Sequence, residues 1–262
     1  ITDTVKIPEN ATLTIEPGVT VIKPTSGDMF LLNGTIYAHG TVENKIAFDG
    51  AGNSIFVRTI SNNSFLYLDS CLITNVISVV WGDYGSFYLK NSDLINMSGS
   101  GLSLPKNVRM EFNRFINTGG FTFTSGNFYI AHNLVKKANL HQNAFISMRG
   151  LHWGKSVAIV KYNSFVDMDG TVLRIYNEAS MSATENYWGI LNTTIIDSMI
   201  YDRNDDITCT NYIDYLPILS EPYPDTPKIS STISCSIDKP SISLGDDCLL
   251  YTSDAADEED SV

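Results

Sequence analysis

Short runs of alternating apolar and polar residues recur along the chain, and turn-forming residues separate them. The runs are three to five residues long, with Gly, Asn, Ser and Asp between them. A period of two over so few residues predicts short strands. No amphipathic pattern of ten or more residues precedes residue 190, so an all-β fold is expected. Examples of the runs are 12–15, 19–22, 30–32, 46–48, 55–57 and 65–68.

A longer repeat organises these runs. One pattern recurs six times. It consists of an apolar residue, two further residues, an Asn or small residue, one more residue and a second apolar residue. The central positions are separated by 21, 21, 20, 30 and 23 residues. Asn143 also fits the pattern, so the 30-residue interval is expected to be either subdivided or decorated by an insertion. The central residues are Cys71, Ser92, Asn113, Asn133, Asn163 and Asn186.

A period near 21 residues with two or three short strands matches one coil of a parallel β-solenoid, which needs roughly 20 to 25 residues. A leucine-rich repeat has a similar period, but its spaced leucines are missing here. The central Asn residues should form a structural ladder at one bend, because their amides can bond from coil to coil and Asn tolerates left-handed backbone. The following apolar residues should stack inside the coils, and they are Phe115, Val135, Phe165 and Trp188.

Two segments carry a family resemblance. ATLTIEPGVTV at 11–21, followed by 33–38 and HGTVENKIAF from His39, resembles the first coils of right-handed parallel β-helix proteins of the pectate-lyase-like superfamily. ENYWG at 185–189, with IIDSMIYDRNDD and YLPIL after it, resembles their closing coil and exit segment. The resemblance spans about residues 3 to 220 and is greatest to the surface and secreted branch common in archaea, methanogens especially. It implies a right-handed parallel β-helix over 1–219 and an extracellular or cell-surface location.

The composition changes after Leu219. SEPYPDTP is rich in proline and predicts a linker over 220–227. Residues 228–247 resemble the opening strands of an immunoglobulin-like module, an incomplete β-sandwich because a complete one needs about 100 residues. Residues 248–262 begin with CLLYTSDAADE, which is similar to the conceptual translation of a transposase adapter used in sequencing libraries. We expect this tail to be an artefact outside the fold, and the chain to be a fragment.

Charge and cysteine content exclude several classes of function. Seventeen Lys and Arg against 29 Asp and Glu give a net charge of −12, which argues against nucleic-acid binding and against docking to an anionic membrane. The apolar stretches are far shorter than the roughly 20 residues that span a bilayer. The four cysteines are too widely spaced for a zinc site or a dense disulfide framework, and Cys71 is expected to be a buried small residue.

The leading functional hypothesis is a non-catalytic scaffold of the cell envelope that contacts extracellular polysaccharide or envelope proteins and needs no cofactor. Aromatic side chains with polar neighbours could stack on sugar rings there, although the same aromatic residues could instead pack within the coils. Trp188 is expected in the core, because it occupies an inward position of the repeat. The carbohydrate-binding candidates are Trp81, Asp83, Tyr84, His152 and Trp153.

The alternative is a polysaccharide lyase or glycoside hydrolase built on the same coils. The resemblance implies that a lyase would use Ca²⁺-binding carboxylates beside a uronate and an Arg or Lys base. These groups would act together only if they converge in one groove. The Asn-Thr-Asp and Gly-His-Gly signatures of the superfamily's hydrolases do not occur in this sequence. The catalytic candidates are Arg149, Lys155, Asp167 and Asp169.

Three acidic residues after the closing coil form a candidate Ca²⁺ site. Asp202, Asp205 and Asp206 would offer carboxylate oxygens, which Ca²⁺ prefers. Arg203 lies among them and the spacing is not that of an EF-hand loop, so the favoured interpretation is a solvated cap loop. Calcium is the one cofactor that the sequence leaves open.

Overall fold

The computed structural model describes residues 1–23, 26–98, 103–137, 144–150 and 155–228, without the side chains at 53, 54, 103 and 104. The chain divides into two units, Ile1–Pro227 and Lys228–Val262, and the described residues belong to the first apart from Lys228. The immunoglobulin-like strands expected over 228–247 and the tail at 248–262 therefore lie outside the described residues, except for Lys228. Asn143, His152 and Trp153 also lie outside them.

The described residues of the first unit form three parallel sheets and one short helix. Sheet A contains β1 (Val5–Ile7), β3 (Thr20–Ile22), β4 (Gly27–Leu32), β6 (Ile46–Thr59), β8 (Cys71–Trp81), β10 (Asp93–Ile95), β13 (Arg114–Ile116), β16 (Leu134–Lys136) and β19 (Ser164–Val166). Sheet B contains β2 (Thr12–Ile15), β5 (Thr35–His39), β7 (Phe65–Asp69), β9 (Ser86–Lys90), β12 (Asn107–Glu111), β15 (Gly126–Ala131), β18 (Ser156–Lys161), β21 (Ser180–Ser182) and β23 (Ile213–Asp214). Sheet C contains β11 (Ser103–Leu104), β14 (Phe121–Phe123), β17 (Ile146–Arg149), β20 (Leu173–Tyr176) and β22 (Ile200–Tyr201). The helix, α1, is Thr193–Ser198.

From β9 onward the chain visits the three sheets in turn, so each circuit there is one coil of a parallel β-helix, whereas β1 to β8 lie only in sheets A and B. From β15 in sheet B it passes to β16 in sheet A, then to β17 in sheet C, and returns to sheet B at β18. All strand pairings among the described residues are parallel, which confirms the solenoid predicted from the 21-residue period. Because β15 pairs directly with β18, the 30-residue interval is a single coil and is not subdivided.

The inward register predicted from the repeat is confirmed in sheet A. Phe115 pairs with Val135 and Val135 with Phe165, and all three are buried. Trp188 continues the line, since its neighbour Tyr187 bridges to Ser164, and its ring centroid lies 5.1 Å from that of Phe165. Apolar surface buried in such a continuous line supplies the main stabilisation of each coil.

The six central residues of the repeat form a continuous hydrogen-bonded ladder at the bend between sheets B and A. The Ser92 Oγ accepts the Cys71 amide at 3.0 Å, and Asn113 Oδ1 accepts the Ser92 amide at 3.0 Å. The next amides donate to the following Asn Oδ1 atoms at 2.9 Å, as far as Asn186. The structural interpretation of these Asn residues is therefore confirmed. Cys71 is buried as expected, and burial raises the pKa of its thiol to about 12.

The left-handed backbone lies one residue before each ladder Asn, which corrects the expectation that the ladder Asn itself adopts it. Phe112, His132 and Tyr162 each have a φ of 57°, and Glu185 has 58°. Left-handed geometry costs about 1–2 kcal/mol in a residue other than Gly or Asn. The ladder hydrogen bonds that follow each of these residues offset that cost.

Residues 220–227, expected as a linker, belong to the first unit and pack against the outside of this bend. The Tyr223 ring contacts Tyr162 at 4.3 Å and His132 at 5.1 Å between centroids. Thr226 is buried and its hydroxyl donates to the Tyr162 carbonyl at 2.8 Å. Proline content predicts an extended segment, but these contacts hold it as a strap on the coils.

The strap makes thermal stability depend on the protonation of His132. Its ring is stacked on Phe112 at 4.8 Å, and its Nδ1 is buried with no hydrogen-bond partner among the described residues. Burial lowers the pKa of His132, although Asp225 and Glu111 oppose the shift. As the pH falls, His132 therefore gains a proton in the unfolded chain before it does so in the folded chain. The contribution of neutral His132 to the free energy of unfolding is present above about pH 6.5, and it is lost as the pH falls through the lower folded-state pKa.

We expect the thermal midpoint to decrease between pH 7 and pH 5, and His132→Phe to remove the part of this decrease that His132 contributes. Phe is a matched replacement because Phe112 occupies the equivalent position one coil earlier with the same φ of 57°. Circular dichroism melting at several pH values measures both curves. Parallel pH profiles for the two proteins would contradict this assignment.

Candidate functional site

The outer face of sheet B carries a line of side chains that includes four tyrosines. Successive strands bring these residues into direct register, one from each of β5, β7, β9, β12, β15 and β18. Side chains alternate between the two faces of a strand, so they point outward while their apolar neighbours point into the core. We name this line the aromatic column, and it consists of Tyr37, Tyr67, Tyr88, Arg109, Tyr129 and Ile159.

The column begins with stacked aromatic rings. The rings of Tyr37 and Tyr67 are nearly parallel, with centroids 4.8 Å apart and an angle of 9° between them. The hydroxyl of Tyr67 donates to Asp69 Oδ2 at 3.3 Å, and burial together with the Asp69 charge raises the pKa of Tyr67. Tyr67 therefore stays a neutral phenol near neutral pH, with its orientation held by Asp69.

Arg109 continues the column as a flat group between two tyrosines. Its Cζ lies 4.7 Å from the centroid of the Tyr129 ring, and Tyr88 is its register partner on the other side. Both Nε and one terminal nitrogen of Arg109 donate to the carboxylate of Glu111. This hydrogen bond raises the pKa of Arg109. The guanidinium is thus fixed in plane, and the adjacent carboxylate balances its charge.

A shallow groove of about 290 Å³ lies beside the column on strands β9 to β18. Its volume is near the lower end of the roughly 300–1,000 Å³ typical of small-molecule sites. One wall is formed by column residues and the other by a second outward line in register. The side chains that line the groove include Tyr88, Arg109, Tyr129, Asn107, Asn127 and Val157.

The three predicted sugar-binding residues that the structure describes lie elsewhere, at the bend after β8. Trp81 is 37% exposed, and the Arg58 guanidinium covers its ring at 3.9 Å while bonding to Asp28. The hydroxyl of Thr124 donates to Asp83, and Tyr84 is exposed. Trp81, Asp83 and Tyr84 are therefore neighbours on one bend and stay a second candidate surface.

The four catalytic candidates occupy two different corners of the coil. Arg149 is at the end of β17 and Lys155 lies just before β18, so both flank the bend from sheet C to sheet B. Asp167 and Asp169 follow β19, at the bend from sheet A to sheet C. Asp167 Oδ2 lies 3.7 Å from Lys136 Nζ, and Arg149 Cζ lies 5.4 Å from the centroid of the Tyr176 ring. Arg149 and Lys155 thus lie near one end of the sheet C strands, and Asp167 and Asp169 lie near the other end.

The acidic cluster is engaged in shaping its own loop. Asp202 is buried and accepts the amides of Asn204 at 2.8 Å and Ile213 at 2.7 Å. Asp205 accepts the Asp202 amide, and Asp206 accepts the Thr208 amide and hydroxyl. Within the described part of the chain, no group of three or more His, Cys, Asp or Glu side chains is arranged to hold a metal ion.

The sequence reasoning missed the aromatic column, although a signal for it exists. From Tyr67 onward, every member stands four residues before a ladder residue and between two inward apolar residues. Leu66-Tyr67-Leu68 and Phe128-Tyr129-Ile130 are examples. Extending the repeat by four residues toward the N-terminus would have identified the outward line.

Comparison with known proteins adds no family assignment. No significant match was found to a protein-family model, to a curated protein or to a solved structure. No helix among the described residues has the length and apolar character needed to cross a bilayer.

Proposed function

We propose that this chain is a non-catalytic, exported β-helix scaffold of the cell envelope or cell surface, and that it binds an extended polysaccharide along the outer face of sheet B. The aromatic column is the observation that carries the proposal. Exposed parts of aromatic side chains pack against the apolar C–H surfaces of pyranose rings, and polar neighbours bond to the hydroxyls. A relationship to the surface branch of the pectate-lyase-like superfamily is part of the same proposal.

The spacing of the column suits a polymer better than a single sugar. Neighbouring strands are about 4.7–4.9 Å apart, which is close to the rise of one sugar unit in an extended glycan. A chain lying along the helix axis would meet a further side chain of the column with each added unit. Individually weak contacts would then add along the length of the polymer.

The lyase or hydrolase alternative has less support from geometry. A lyase needs its base and its charge-neutralising groups within hydrogen-bond reach of the same sugar. Here Arg149 and Lys155 flank one bend, whereas Asp167 and Asp169 flank another.

The double variant Tyr67→Ala/Tyr88→Ala should lose about tenfold or more in affinity for the bound glycan, because each aromatic contact removed is worth about 0.5–1.5 kcal/mol. Binding of the full chain to an array of soluble polysaccharides measures this. Tyr212→Ala is the matched control, since Tyr212 is 54% exposed and lies outside the column.

Trp81→Ala tests the second candidate surface in the same assay. Unchanged binding by the double variant, or an equal loss in Tyr212→Ala, would contradict the proposal. A loss confined to Trp81→Ala would move the binding surface to the bend after β8.

A further inference from the structure

The groove beside the aromatic column has two polar side chains that the fold does not use. Asn107 and Asn127 are register partners on β12 and β15, and both are exposed. Their side-chain amides make no hydrogen bond with any described residue. They therefore present two carboxamides in line along the groove, each with a donor and an acceptor.

The other side of the groove is formed by the column, where Arg109 lies between two tyrosines. Tyr88 and Tyr129 come from the column, and Val157 extends the line of the two Asn residues on the next strand. A pyranose lying against the outward edges of the tyrosines would direct its edge hydroxyls toward the amides. Adjacent hydroxyls on that edge would each find a partner, which makes a vicinal diol the matching group.

The charge on the groove is balanced. Arg109 is the one cation among its lining residues, and Glu111 takes two of its hydrogen bonds. The next cation is Lys161. Its Nζ lies 5.0 Å from the centroid of the Tyr162 ring and 6.0 Å from that of the Tyr129 ring, so it is closer to Tyr162. A uronate carboxylate would enter the groove without a dedicated partner, and desolvating it there would be unfavourable.

We infer that the groove formed by Asn107, Asn127, Tyr88 and Tyr129 is a sugar subsite for uncharged hexose units with two adjacent free hydroxyls. This inference rests on the proposed function and specifies its ligand class. The tyrosines supply apolar ring edges that any pyranose can contact. The amides select for the free diol, and the balanced Arg109–Glu111 pair selects against acidic sugars.

The test compares ligands that differ in one group. Cellohexaose is compared with its 2,3-di-O-methyl derivative, and methyl-esterified hexagalacturonate with the free acid, by isothermal titration calorimetry on the full chain. The wild type should bind cellohexaose and the methyl ester more tightly than their partners. Asn107→Ala/Asn127→Ala should lose about tenfold for cellohexaose, since two neutral hydrogen bonds are worth roughly 1–3 kcal/mol, and should bind the di-O-methyl derivative as the wild type does.

The outcomes separate this inference from the function on which it rests. If Tyr88→Ala/Tyr129→Ala abolishes binding while the double Asn variant behaves as wild type, the polysaccharide-binding proposal stands and the diol subsite is wrong. Tighter binding of the free acid than of its ester would overturn the selection for uncharged units. If none of the neutral oligosaccharides binds, the subsite is overturned, and binding on the polysaccharide array then decides the wider proposal.

Discussion

Replacing Asn163 by alanine is expected to lower the free energy of unfolding by about 3–5 kcal/mol. Asn163 is fully buried, and its Oδ1 accepts hydrogen bonds from both the amide and the side chain of Asn133 at 2.9 Å. Its Nδ2 donates to the carbonyls of Ile130 and Lys161. Alanine satisfies none of these groups, and each buried group left without a partner costs about 1–3 kcal/mol.

Two other replacements at this position separate hydrogen bonding from volume. Asn163→Ser should lose less than Asn163→Ala, because Ser92 occupies an equivalent position and accepts its neighbour's amide at 3.0 Å. Asn163→Asp keeps the shape but buries a carboxyl group against carbonyl oxygens. Burial raises the pKa of that carboxyl above its ordinary 3.9, so this variant should recover relative to the wild type as the pH falls.

Urea denaturation followed by circular dichroism measures these differences. Asn127→Ala is the matched control, since Asn127 is exposed and its side chain has no hydrogen bond among the described residues. Its stability should lie within about 0.5 kcal/mol of the wild type. Similar losses for Asn163→Ala and Asn127→Ala would show that the ladder is not a major source of stability.

The coil register was predictable because two periods in the sequence indicate it independently. Alternation by two identifies the faces of each strand, and the 21-residue spacing aligns successive strands. Asn113 and Phe115 illustrate this: one fits the bend and the other the core, and both positions agree with the structure. A pattern this redundant specifies which residues stack without any knowledge of the bends.

The bend before the Asn ladder could not be predicted from residue types alone. Phe112 and Tyr162 adopt left-handed backbone there, although aromatic residues do not favour it. The ladder hydrogen bonds impose this geometry, and they exist only after the coils have stacked. The same reasoning applies to the strap, where the proline content of 220–227 gives no sign that Tyr223 packs on Tyr162.

The candidate sites depended on the bends and were harder to predict for that reason. Whether Arg149 and Asp167 converge is decided by which bend each one follows, and the composition of the 30-residue interval does not report it. The aromatic column could have been predicted from the sequence, because Tyr67 and Tyr88 occupy the same position of the repeat. Residue type alone does not mark the column, because Arg109 and Ile159 occupy the same position of the repeat as the tyrosines.

Phe165→Ala is expected to cost about 3–5 kcal/mol, as for other fully buried phenylalanines. Phe165 is fully buried, with Val135 on one neighbouring coil and Trp188 on the other. Phe145 also contacts it, with ring centroids 6.3 Å apart. Since the surrounding side chains belong to separate coils joined by backbone ladders, they can move only slightly into the space left by the ring, and a cavity should persist.

Ile159→Ala provides the comparison, because Ile159 belongs to the same coil but points outward and is 45% exposed. Its loss should be a small fraction of the loss for Phe165→Ala, since little apolar area returns to water. Chemical denaturation measures both, and the fluorescence of Trp188 should shift in Phe165→Ala because the cavity opens against its ring. If the two variants lose equal stability, the inward register is wrong. The aromatic column would then lose its basis as well, because its outward direction follows from the same alternation that places Phe165 inside.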